Sequence, residues 1–107
     1  MAIQASGTLL DMSVLAMLAR EDLYGYLLTQ NATTLLGVSE STVYPIMRRL
    51  QTEECLDVYD VPYSGRNRRY YSITESGRRR LREYTAQWQD FKETIDNILG
   101  GAENDGE

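Results

Sequence analysis

Between Leu56 and Ile73 the chain changes its periodicity, and no other feature narrows the possible folds as much. The run "LDVYDVPY" alternates Leu56, Val58 and Asp60 with Asp57, Tyr59 and Val61, while "RRYYSIT" is dense in strand formers. Period-2 alternation with β-branched and aromatic side chains suits a pleated strand. "SGRN" between the runs supplies turn residues, and Pro62 belongs at an edge or a strand end. One hairpin is therefore expected in a chain whose other patterns are helical.

Three helical patterns precede the hairpin. "SGTLLDMSVLAMLAR" carries Leu10, Val14, Leu15, Met17 and Leu18 as a stripe that Leu9 and Met12 widen. A second helix is expected near Tyr24, capped by Asp22, with Gly25 permitting close helix approach and Gly37 reversing the chain. Ser39 caps a third, in which Val43, Ile46, Met47 and Leu50 recur at i, i+3, i+4 and i+7. After the hairpin, Thr74 caps a long helix from Glu75 to about Leu99, closed by Gly100-Gly101. The acidic end, residues 101–107, is expected to be disordered.

At 107 residues this is one domain, or one domain with an appended helix. No apolar run reaches membrane-spanning length, "MAIQASGTLL" has no basic n-region, and the one cysteine, Cys55, has no partner for a disulfide. A cytoplasmic protein is the expectation. Enzyme chemistry has little to work with. There is no histidine to act as base or metal ligand, Cys55 lacks an imidazole, and neither zinc spacing nor a phosphate loop is present. No cofactor and no metal are expected.

Net charge is −5, yet it is unevenly spread. Residues 1–39 and 83–107 are acidic, whereas residues 40–82 hold nine arginines against six acids. Local charge decides what a face can bind. Three helices followed by a hairpin form the order of a winged helix-turn-helix: a mainly α fold in which the helix before the hairpin enters the major groove of DNA. With Val43, Ile46, Met47 and Leu50 facing the core, Ser41, Pro45, Arg48 and Thr52 lie opposite, flanked by Thr42, Tyr44 and Arg49. Pro45 costs a regular helix interior roughly 3 kcal/mol, but here it points outward, away from the core.

Hydroxyls and arginines suit phosphates and base edges, and "SGRNRRYY" adds a basic hairpin tip. Double-stranded DNA is thus the expected partner, met by Ser39, Ser41, Thr42, Tyr44, Arg48, Arg49, Arg66, Asn67 and Arg68. Tyr71 and Ile73 should face inward. A winged helix that binds another protein is the alternative; steep salt dependence belongs only to DNA binding. The expected division is 1–74 for the winged domain, 75–100 for the long helix and 101–107 for the tail.

"LYGY" (Leu23 to Tyr26), "GVSESTVYPIMRRL" (Gly37 to Leu50) and "GRNRRYYSITESGRRRL" (Gly65 to Leu81) together resemble the PadR family of bacterial transcriptional regulators, in the short form with a single C-terminal helix. The resemblance implies a dimeric repressor that leaves DNA when a small molecule binds. Two residues depart from the family pattern. Cys55 replaces a glycine closing the recognition helix and would strain its end; Ser64 replaces a wing glycine and would stiffen the wing.

Within the last helix, Leu81, Tyr84, Trp88, Phe91, Ile95 and Ile98 alternate steps of three and four, the a/d seam of a helix pairing with a second copy. Multidrug-responsive relatives imply that Trp88 lines an aromatic slot between subunits. Planar aromatic compounds would stack there, with Thr8, Met12 and Phe91 lining the site and Asp11 favouring positive charge. Trp88 packing the dimer core without any ligand fits equally well. Arg78, Arg79, Arg80 and Arg82 read as surface salt bridges to Glu75 and Glu83, and Cys55 as a packed residue.

Overall fold

The computed structural model describes residues 7–104, in the order α1 Gly7–Arg20, β1 Leu23–Tyr24, α2 Gly25–Leu36, α3 Glu40–Thr52, β2 Leu56–Tyr63, β3 Arg66–Ile73 and α4 Glu75–Asn104. The winged helix-turn-helix expected from the periodicities is present. Its core joins Leu10, Val14, Leu15 and Leu18 of α1 with Leu28 and Ala32 of α2 and the full apolar stripe of α3. Leu23, Cys55 and Leu56 complete it, and Tyr71 and Ile73 pack against it from β3, as their alternation predicts. Burying each large aliphatic side chain contributes about 1.5–3 kcal/mol relative to exposure, which is what sets the facing of α3.

The sheet has three strands, not two. Leu23 and Tyr24 pair with Tyr71 and Tyr70, so the order is β1-β3-β2. A two-residue strand is too short to show alternation, and its place is decided by partners distant in sequence: Leu23 is buried and the Tyr24 ring lies 5.8 Å from that of Tyr70. The N-cap of α2 is consequently Tyr24, and Asp22 is no cap. Its carboxylate instead accepts the Tyr59 hydroxyl at 2.6 Å. Gly25 makes a close approach, but to a strand: a Cβ there would sit 3.2 Å from the Tyr71 ring. Gly37 ends α2 in the left-handed region, its N–H donating to the Thr33 carbonyl.

At the end of α3 the amide of Cys55 bonds the Leu50 carbonyl and that of Glu54 bonds Gln51, the paired bonds of a Schellman close. The left-handed residue is Glu54, φ 63°, so the strain falls on Glu54 and Cys55 packs as the buried residue after it. Thr74 ties this corner to α4. Its amide donates to the Cys55 carbonyl, its hydroxyl donates to the Glu54 carbonyl at 2.7 Å, and the same oxygen accepts the Gly77 amide as a cap. At the wing, Ser64 (φ 49°) and Gly65 (φ 81°) form a two-residue connection of the type I′ kind between Tyr63 and Arg66.

Thirty residues long, α4 passes through Gly100 and Gly101 to Asn104 and does not stop at the glycine pair. Glycine weakens a helix by about 1 kcal/mol relative to alanine but does not terminate one without a competing turn. The first four residues of the acidic end are thus helical, and residues 105–107 lie outside the described residues. A helix of this length spans roughly 45 Å at 1.5 Å per residue, and the molecule measures 67 × 26 × 20 Å.

Candidate nucleic-acid interface and apolar pocket

Burial of the α3 stripe turns Ser41, Thr42, Tyr44, Pro45, Arg48 and Arg49 to the surface, all exposed. The Thr29 hydroxyl, buried in α2, approaches the Met47 sulfur at 3.8 Å and fixes the two helices against each other. Periodicity offers no signal for such a residue. Ser39 has the extended backbone of an N-cap but makes no side-chain cap bond. Its hydroxyl pairs with Ser41 at 2.8 Å and Thr42 at 3.2 Å, leaving a hydroxyl cluster at the positive end of the helix. Pro45 sits inside a continuous α3, and its missing N–H frees the Ser41 carbonyl on the solvent side.

The structure sorts the arginines that the sequence groups together. Arg49 turns back: its guanidinium bonds the Asp11 carboxylate at 2.5 Å and approaches Glu53 at 3.5 Å. Its pKa is raised further by the Asp11 hydrogen bond. Arg69 lies 3.8 Å from Asp60. Arg80 pairs with Glu53 across elements, where the sequence suggests neighbours on the same helix, and this bond depresses the Glu53 pKa. Among the described residues, the side chains of Arg48 and Arg66 have no protein partner, so both are free to meet phosphates.

Arg68 is held differently. Its guanidinium lies 3.6 Å from the Tyr63 ring centroid and 4.3 Å from that of Tyr24, stacked over the outward face of the sheet. Tyr24, Tyr70 and Tyr59 continue this face, with Tyr59 and Tyr70 stacked at 5.5 Å. Arg66 and Asn67 project at the tip, both exposed.

A separate cavity of about 220 Å³ opens between α1 and α4. Thr8, Met12, Trp88 and Phe91 line it, as the sequence suggests, together with Leu9, Tyr84 and Gln87, which sequence reasoning missed. The Trp88 and Phe91 rings stand 6.4 Å apart at 42°. Asp11 does not line it: the carboxylate points the other way, buried and neutralised by Arg49. A single helix shows which residues share a face, but not which of them a neighbouring helix will claim.

Of the seam residues, Leu81 and Tyr84 pack against the chain's own core. Trp88 and Ile95 are half-buried, whereas Phe91 and Ile98 stand 53% and 61% exposed. Lys92 pairs with Asp96 at 2.9 Å beside them. Cys55 is buried, and burial raises its thiol pKa. No helix among the described residues is long and apolar enough to cross a membrane.

A family model for the transcriptional regulator PadR-like family matches residues 14–83. An uncharacterised protein of Lysinibacillus sphaericus is 33% identical over 100 residues, covering 88% of this chain and 91% of that one. Among solved structures, a protein of Streptococcus mutans UA159 superposes with a TM-score of 0.85 at 36% identity, covering 94% of this chain and 95% of that one. A PadR-like transcriptional regulator from Bacillus cereus has a TM-score of 0.80 at 30% identity, covering 91% and 97%. PadR regulators bind DNA and are not enzymes. The chain belongs to the PadR-like family of transcriptional regulators.

Proposed function

We propose that this regulator is a homodimeric repressor that binds a palindromic operator and leaves it when a planar aromatic compound occupies the α1/α4 pocket. The observation that carries the reading is the outward face of α3. There a hydroxyl cluster, Tyr44 and the unpaired Arg48 stand exposed on a helix whose other face is locked into the core. Ser39, Ser41, Thr42, Tyr44 and Arg48 meet base edges and phosphates in the major groove, and Arg66, Asn67 and Arg68 meet the backbone beside it. Arg49, already bonded to Asp11, supports the helix rather than the DNA.

Phe91, Ile98 and their neighbours give the dimer its reason: an apolar stripe on a helix that extends beyond its own core is stabilised by a second copy. Trp88 and Phe91 would then meet a twofold-related wall, and the cavity's apolar lining suits flat aromatic molecules.

The test is DNA binding measured against ionic strength. Replacing Arg66 and Arg68 by alanine should weaken binding to every duplex and reduce the slope of log K against log salt by about 1 to 2, since each neutralised phosphate contributes roughly 0.9. An unchanged slope removes the wing from the interface. Quenching of Trp88 emission by planar aromatics tests the pocket.

A further inference from the structure

Four charged residues form a chain across three helices. Asp11 of α1 is 3% exposed and bonds Arg49 of α3 at 2.5 Å. Arg49 approaches Glu53, one turn further along α3, at 3.5 Å, and the same Glu53 oxygen accepts the Arg80 guanidinium of α4. The two outer members do not line the apolar cavity but belong to the helices that wall it: Asp11 is on α1, next in sequence to the lining residue Met12, and Arg80 is on α4, one turn before the lining residue Tyr84.

From this we infer that the Asp11–Arg49–Glu53–Arg80 chain is the strut through which the pocket and the recognition helix sense one another. α3 is bonded to both walls of the cavity by separate ion pairs. A molecule wedged between α1 and α4 changes the separation of those walls, and α3 cannot remain bonded to both without turning or shifting. These ion pairs add polar links with defined partners to the packed apolar contacts between the same helices, and a displacement of either wall must stretch or re-form them. Arg49 cannot be released cheaply, because its loss would leave the buried Asp11 carboxylate unpaired. Glu53 and Arg80 are therefore positioning residues that couple the pocket walls to α3 without touching DNA or setting the affinity of the effector-free protein for it. The inference rests on the proposed reading of α3 as the DNA-facing helix.

Linkage makes the coupling reciprocal, so DNA must also change the pocket. Trp88 is the only tryptophan and lines that pocket, so its emission reports the change without any effector. In the experiment, the full chain is titrated with a labelled duplex selected from random DNA by the protein itself, and duplex anisotropy and Trp88 emission are followed together. For the native chain, emission should shift in step with anisotropy. For Glu53→Gln and Arg80→Gln, anisotropy should give affinities within about threefold of native while the emission shift is lost, a change small beside the 5–150-fold range of typical couplings. Thermal melts confirm that each variant is folded; if one is not, the other decides. A native emission spectrum indifferent to bound DNA, or a shift retained in full by the folded variants, overturns the strut. Absence of any anisotropy change in the native chain overturns the DNA reading itself and the inference with it.

Discussion

Glu54 adopts a backbone conformation that favours glycine, and its surroundings explain why it is held there. The Glu54 carbonyl accepts the Thr74 hydroxyl, and the amides on either side close α3, so the left-handed turn is over-determined by main-chain bonds. None of those bonds needs the glutamate side chain. Glu54→Gly should therefore raise stability by about 0.5–1 kcal/mol, the relieved strain exceeding the extra chain entropy of glycine, and a higher urea midpoint would show it. Gly77 is the opposite case. A Cβ there would collide with the Cys55 carbonyl oxygen and lie 2.7 Å from Ile73 Cγ1. Backbone cannot move aside as a side-chain tip can, so Gly77→Ala should cost about 2–3 kcal/mol, read as a lowered unfolding midpoint. Both effects belong to one corner where α3, β2 and α4 meet. Neighbouring residues in sequence say nothing of it.

Elements are joined here by a few polar bonds over an apolar base. The Glu53–Arg80 pair joins α3 to α4, and Arg80 together with Arg49 holds the Glu53 carboxyl below its ordinary 4.5. A depressed carboxylate pKa stabilises the fold above the unfolded value and is lost as pH falls through the folded one. Melting temperature should therefore drop on acidification below 4.5, and Glu53→Gln should remove part of that drop, so that the gap between variant and native narrows in acid. A gap of constant size at every pH would show that the glutamine acts through packing alone. The same scale shows what helical periodicity conveys. The stripe Val43, Ile46, Met47 and Leu50 is buried as the spacing predicts, whereas Arg48 and Arg49, adjacent in sequence, differ entirely: among the described residues the Arg48 side chain has no partner, and Arg49 is bonded to α1.

Across the whole molecule, α4 divides its apolar seam between two tasks. Leu81 and Tyr84 complete the chain's own core, while Phe91 and Ile98 remain more than half exposed. In the dimer proposed above, that outer half supplies the interface. Ile98→Glu should then yield a species of half the native mass in sedimentation, with helical content retained at the same concentration. Equal masses for both proteins would place the interface elsewhere.

Sequence alone determined the class of fold, because apolar spacing reports which face of each element avoids water, and the succession of helical and alternating runs admits few architectures. It also disclosed the basic hairpin and the outward hydroxyls of α3, since each is local, whereas the pocket residues of α1 and α4, some seventy residues apart, were joined only by the family resemblance and the tertiary structure. Only the tertiary structure decided the strand at Leu23–Tyr24, the passage of α4 through its glycines, the Glu54 turn and the partners of the arginines. Charge has long reach and no periodicity: whether an arginine faces solvent, an aromatic ring or a buried carboxylate depends on elements far away in the chain.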